Sequence, residues 1–135
     1  MPMIDVTYAQ GTFPEGTERE LTAALLRAEG VAQPGPAHLD NTGCYLHPLP
    51  AAHVHTARQG APRTVRVQVL TPPGALPRAG QRQLTLEATQ LIAKLSGDPT
   101  QAGRTWVLLT EAAEGGWGIA GTAFGKEEFA ALLKK

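Results

Sequence analysis

Gly11-Thr12-Phe13-Pro14 is answered further along the chain by Gly74-Ala75-Leu76-Pro77, and Arg19-Glu20-Leu21-Thr22 by Arg82-Gln83-Leu84-Thr85, both at a shift of 63 positions. The same shift lays Pro2 to Val6 on Val65 to Val69, and Thr42-Gly43-Cys44-Tyr45-Leu46 on Thr105-Trp106-Val107-Leu108-Leu109. One register is thus kept through two extended-looking segments and the stretch between them. Repetition on this scale marks a supersecondary unit used twice.

Each half reads strand, helix, strand. Ile4, Val6 and Tyr8 alternate with Asp5 and Thr7, and Val65, Val67 and Val69 alternate with Arg66 and Gln68. That is the period-2 signature of a strand with one buried face. After Pro14 and Pro77 the spacing becomes helical: Leu21, Ala24, Leu25 and Ala28 form one stripe, and Leu84, Ala88, Leu91 and Leu95 the other. Thr17-Glu18-Arg19-Glu20 has the form of a capping box, although Pro14 fits the first helical turn equally well. Gly30 and Gly97 are natural stops. The second strands then fall at Thr42–His47 and Thr105–Thr110, with Pro- and Gly-rich loops at Gln33–Asn41 and Gln59–Arg63.

Two βαβ units, about 1–60 and 64–123, whose outer strands can pair predict a single α/β domain. It has a four-stranded mixed sheet with two helices on one face, short hairpin strands and a C-terminal amphipathic helix over 126–134. The opposite sheet face mixes Asp5, Thr7, Arg66 and Gln68 with Met3 and Leu70. It is too apolar for plain solvent exposure, and neighbouring subunits are expected to cover part of it.

Composition narrows the function. Twelve Lys and Arg balance twelve Asp and Glu, which gives no electrostatic reason to bind nucleic acid or an acidic membrane. Cys44 is the only cysteine, so no disulfide and no Cys-x-x-Cys motif forms within the chain. There is no basic-then-apolar leader and no apolar run of membrane-spanning length, and a cytoplasmic protein is expected. Gly116-Trp117-Gly118-Ile119-Ala120-Gly121 fits the dinucleotide spacing but lacks the following helix and acidic residue of a further βαβ unit. His53 and His55, with His47 nearby, are fewer ligands than a zinc site uses and read as exposed loop histidines; no metal or cofactor is expected.

One group has an obvious chemical use. Met1 precedes a small residue, and its removal exposes Pro2 as a secondary amine. An α-amino group titrates near ~7.7–8.0, and burial disfavours its charged form. A proline amine in an apolar recess is therefore available as a base near neutral pH. The plain alternative is a processed terminus leading into an edge strand.

Pro2 directly after the initiator Met, the duplicated βαβ pattern and the segment Thr110-Glu111 … Trp117-Gly118-Ile119-x-Gly121 together resemble the tautomerase superfamily. Its members include 4-oxalocrotonate tautomerase, malonate semialdehyde decarboxylase and cis-3-chloroacrylic acid dehalogenase. The resemblance spans nearly the whole chain and is strongest to members that fuse two units and assemble as trimers. It implies a cofactor-independent isomerase, a homotrimer, in which Pro2 moves a proton on a small unsaturated keto or enol acid. It also implies that Trp117 walls the pocket. Trp106, Arg66 and Glu29 are the other substrate-binding candidates.

The chain departs from the superfamily at its arginines. Thr12 stands at the arginine place of the first half, and Pro72 and Gly74-Ala75 at that of the second; Gly43 and Trp106 take the places of a further arginine. Leu108 stands where the dehalogenase has tyrosine, and Glu29 where it has a water-activating histidine. Arg27, Arg66 and Arg78 remain as possible cations. The rival expectations are a noncatalytic small-molecule-binding or assembly module, and a decarboxylase or hydratase of the same superfamily.

Overall fold

A computed structural model describes residues 2–27 and 35–133. In chain order the elements are β1 (Met3–Ala9), α1 (Glu18–Arg27), α2 (Pro36–Asp40), β2 (Gly43–Leu49), β3 (Val65–Thr71), α3 (Arg78–Ser96), β4 (Thr105–Glu111), β5 (Trp117–Ile119), β6 (Thr122–Phe124) and α4 (Lys126–Leu133). The sheet runs β2-β1-β3-β4, with β1–β2 and β3–β4 parallel and β1–β3 antiparallel. Each parallel pair is one βαβ unit, and the two units meet at the central antiparallel seam.

Alternation decides which face the helices cover. Ile4, Val6 and Tyr8 of β1 and Val65, Val67 and Val69 of β3 are buried, and they pack with Leu21 and Leu25 of α1 and Leu84, Ala88 and Ile92 of α3. Each such aliphatic side chain contributes about 1.5–3 kcal/mol by leaving water. Val6 faces Val67 across the seam, and both are fully buried. Phe13 closes the end of this core, its ring edge-on to Tyr8 with centroids 4.9 Å apart.

The helix limits follow local chemistry. Thr17 heads α1, its carbonyl accepting the Leu21 N–H at 2.9 Å. α3 begins directly after Pro77 and ends at Gly97, whose φ of 72° is the left-handed conformation that glycine adopts without steric cost. Asp98 then turns the chain towards β4: its carboxylate accepts from the Thr100 N–H and hydroxyl and from the Arg104 guanidinium. These hydrogen bonds hold that carboxyl below its ordinary range.

One expectation from sequence is amended. The stretch Gln33–Asn41 is not loop throughout, because Pro36–Asp40 form a helical turn. Pro36 presets the first φ, and Asn41 and Thr42 donate back to the carbonyls of Ala37 and His38. The Gly116–Gly121 stretch is a hairpin, as expected from the sequence. Ile119 pairs with Thr122 across Ala120 and Gly121, both at positive φ, as a two-residue type I′ connection requires. Ala28 and Gly30 lie outside the described residues, as do Gln33 and the last residue of the expected C-terminal helix.

On the face away from the helices, the register sets residues in rows: Gly43–Met3–Leu70–Thr110, then Tyr45–Asp5–Gln68–Leu108, then His47–Thr7–Arg66–Trp106. Tyr45, Leu70, Trp106 and Leu108 are all exposed there. Among the described residues no helix is long and apolar enough to cross a membrane.

The packing makes a direct forecast. Leu25→Ala removes a fully buried side chain and should lower unfolding free energy by about 2–5 kcal/mol in denaturant titrations at fixed protein concentration. Leu86→Ala, at an exposed site on α3, should change it by about 0.5 kcal/mol or less. Equal effects at the two sites would contradict this core.

Candidate active site

Pro2 stands at the head of β1, and its side chain is less than 2% exposed. Its carbonyl accepts the Gly43 N–H at 3.1 Å, which starts the parallel pairing with β2. Because β1 and β3 are antiparallel, the same end of the sheet holds the last residues of β3 and β4. Leu70 is opposite Met3, Thr110 is opposite Leu70, and Glu111 is opposite Thr71. The surroundings of Pro2 are thus drawn from both units.

Pro2 itself is buried while Leu70, Thr110 and Glu111 at the same end are exposed, and among the described residues this end is poor in cations. A side chain at position 43 would meet the Met3 sulfur at 2.9 Å and the Tyr45 ring at 3.0 Å, so glycine there lets both close over the strand start. The loop after β3 is clamped by backbone contacts: the Glu111 carboxylate accepts the Gly74 N–H, and the Ala112 N–H donates to the Thr71 carbonyl at 2.9 Å. None of Gly43, Leu70, Thr71, Thr110 and Glu111 is basic, and the one ionisable group among them is a carboxylate. Thr12, at the other arginine place, is buried at the opposite end of β1 and donates to the Ala9 carbonyl at 2.7 Å.

The expected site residues divide. Trp117 is buried in β5, in the segment that leaves β4 at the Pro2 end, and pairs with Phe124 of β6. Arg66 and Trp106 are directly paired across β3 and β4, but their row crosses β1 at Thr7. Thr7 is five residues from Pro2, or about 16 Å along an extended strand. The structure therefore brings Arg66 and Trp106 together and keeps both away from Pro2 within the chain. Glu29 lies outside the described residues. Arg27 lies in a groove between α1 and α3 with Glu87 and Lys94, and Arg78 opens α3 beside Gln81.

Two arrangements were not foreseen. His47 Nε2 lies 2.6 Å from Asp5 Oδ1 on the open sheet face. A cavity of about 170 Å³ is lined by Thr7, Leu49, His53, Val54, His55, Thr64, Arg66 and Trp106. Its histidines come from the segment after β2, and the fold sets them beside the starts of β3 and β4 around one cavity. Strand spacing, which located the other elements, gives no signal for this. Among the described residues no group of three or more His, Cys, Asp or Glu is placed to hold a metal.

Cys44, on β2 opposite Ile4, is partly buried against the helix-side core. Burial pushes its thiol above the ordinary range and the Asp5 charge adds to that, while hydrogen bonding with Thr22 pulls partway back. The thiolate fraction at neutral pH is accordingly below that of a free thiol, which speaks against a cysteine nucleophile. Tyr8 is likewise kept protonated, by burial first and then by the charge of Glu18.

The sequence matches no protein-family model and no curated protein. Solved structures do share the fold. The fused 4-OT called Q0, a symmetric trimer, is 21% identical with a TM-score of 0.77, over 96% of this chain and 98% of that one. Pt0534 inactivated by 2-oxo-3-pentynoate is 17% identical with a TM-score of 0.77, over 94% and 98%. N1, a member of the cis-3-chloroacrylic acid dehalogenase family, is 17% identical with a TM-score of 0.75, over 96% and 90%. The architecture is that of these structures, across almost the entire chain.

Iodoacetamide should alkylate Cys44 in the folded protein more slowly than it alkylates glutathione at pH 7.5. The folded rate should climb with pH only above the range where a free thiol titrates. An equal or faster rate at neutral pH would show that the thiol is not shielded in this way.

Proposed function

We propose that this chain is a cofactor-independent tautomerase, a homotrimer, in which Pro2, freed by removal of Met1, acts as general acid and base. The observation that carries this reading is the burial of Pro2 at the head of β1, in a fold shared with the fused 4-OT structures. A secondary amine buried at the head of β1 favours its neutral form. It can take a proton from the hydroxyl of a 2-hydroxy-dienoate or enol and return one to carbon, which moves the double bond. Such positioned proton transfer is worth roughly 10²–10⁴ in rate. Trp117 serves as the apolar wall.

The substrate is a small unsaturated keto or enol acid. Its carboxylate requires a cation, and the residues around Pro2 within the chain do not supply one. In the trimer that group comes from a neighbouring subunit. On the open sheet face the apolar residues Met3, Tyr45, Leu70 and Leu108 are the surface that the subunits bury, and the row of Arg66 and Trp106 stays clear of it. Sedimentation equilibrium should accordingly return a trimer mass, and a monomer at micromolar concentration would overturn this part.

The shortage of cations favours a second reading, a noncatalytic module that keeps the fold to bind a small molecule or to assemble. A third, decarboxylation or hydration, would appear as carbon dioxide release or as water addition to an acetylenic acid. Intact mass and enol ketonisation rates separate these. For the tautomerase, the protein from its native host should lack Met1, and Pro2→Ala should lose about 10²–10⁴ of the ketonisation rate. 2-Oxo-3-pentynoate should label Pro2 covalently. Retention of Met1, or equal rates for the processed protein and Pro2→Ala, would remove the mechanism.

A further inference from the structure

The cavity lined by Arg66, Trp106, His53 and His55 occupies a particular place in the duplicated fold. Under the 63-position shift Val65 repeats Pro2, so the start of β3 is the second unit's counterpart of the Pro2 end. The cavity lies there, with Thr64 and Arg66 on either side of Val65, Thr7 and Leu49 from the strands of the first unit, and Trp106 at the start of β4. Duplication has thus produced two equivalent positions, one at each end of the β1–β3 seam. The second has no chain terminus: the nitrogen of Val65 is a peptide nitrogen and cannot act as an amine base.

What the second position has instead is recognition chemistry. Arg66 corresponds to Met3, Trp106 to Gly43, His53 to Gly116 and His55 to Gly118. Arg66 and Trp106 thus stand where the Pro2 end carries methionine and glycine, and the segment after β2 adds two imidazoles at positions that the segment after β4 fills with glycine. The lining contains no Asp or Glu. Arg66 makes no ion pair or hydrogen bond with another described residue, and Asp5, on the same sheet face, is engaged by His47. His55 Nε2 lies 2.5 Å from the Ala52 carbonyl, which fixes the ring with Nε2 as donor. The His53 imidazole makes no hydrogen bond within the described structure and is free to donate.

We infer that this cavity is a second ligand site, specific for a small planar carboxylate such as a 2-oxo acid. Arg66 presents the fork that pairs bidentately with a carboxylate, and His53 offers a further donor. Trp106, 47% exposed, supplies an indole surface for a conjugated carbonyl. A tetrahedral phosphate would gain nothing from that surface. At about 170 Å³ the cavity is well below the ~300–1,000 Å³ of pockets for drug-sized ligands and suits a compact acid. This site uses none of the residues around Pro2, and it stands whether or not Pro2 is catalytic.

The test is an NMR titration of the full chain, following the histidine ring C–H resonances as pyruvate is added, and in a parallel series inorganic phosphate. Pyruvate should shift His53 and His55 saturably, in the native protein and in Pro2→Ala alike. Arg66→Gln should weaken this binding roughly tenfold or more, with Arg66→Lys in between because it keeps the charge but loses the fork. Phosphate should bind more weakly than pyruvate. The inference is overturned by the absence of saturable shifts, by unchanged affinity in folded Arg66→Gln or Arg66→Lys, or by phosphate binding at least as tightly. Disappearance of the shifts in Pro2→Ala would also overturn it, by tracing them to the Pro2 end.

Discussion

The antiparallel pairing of β1 with β3, centred on Val6 opposite Val67, is the contact on which every other feature of this molecule depends. A βαβ unit alone leaves one edge of its first strand unpaired and half of its apolar face uncovered. Joining two units along that edge satisfies both, and the core is continuous across the seam. Because the strands run in opposite directions, the start of each unit is placed against the end of the other. Pro2 is buried at the head of β1, at the end of the sheet where β3 and β4 finish.

The same geometry explains why the two ends of the sheet diverge in chemistry. They are equivalent in fold but not in covalent structure, since only one can possess a free amine. Glycine and methionine at the Pro2 end allow close apolar cover, while Arg66, Trp106 and the loop histidines gather at the other. On the proposed reading, duplication followed by unequal substitution gives one end suited to proton transfer and another suited to holding an anion.

The architecture was legible in the sequence because alternation and helical spacing are local signals repeated in two copies. Ile4, Val6, Val65 and Val67 declare their burial within a few residues, and the repeated Gly-x-x-Pro tells where each helix begins. The site was less legible, for physical reasons. Arg66 and Trp106 look like candidates for any pocket, but which end of the sheet they face depends on β3 running against β1 and on the pairing of β3 with β4. His53 and His55 read as solvent-exposed residues and are exposed, but that the segment after β2 sets them on the rim of a cavity has no local signal. Pro36 was counted as a loop residue although proline also starts helices, and the donors that stabilise α2, Asn41 and Thr42, carry no distinctive spacing.

The central claim is that the Pro2 nitrogen, once freed, lies in a recess dry enough to hold it neutral under physiological conditions. Protein carrying ¹⁵N-labelled proline, with Met1 removed, allows this to be read directly from the ¹⁵N shift of Pro2 across a pH titration. The account predicts a midpoint clearly below the ~7.7–8.0 of an unperturbed α-amino group. A midpoint at or above that range would mean that the amine is solvated or sits beside uncompensated negative charge, and would contradict it.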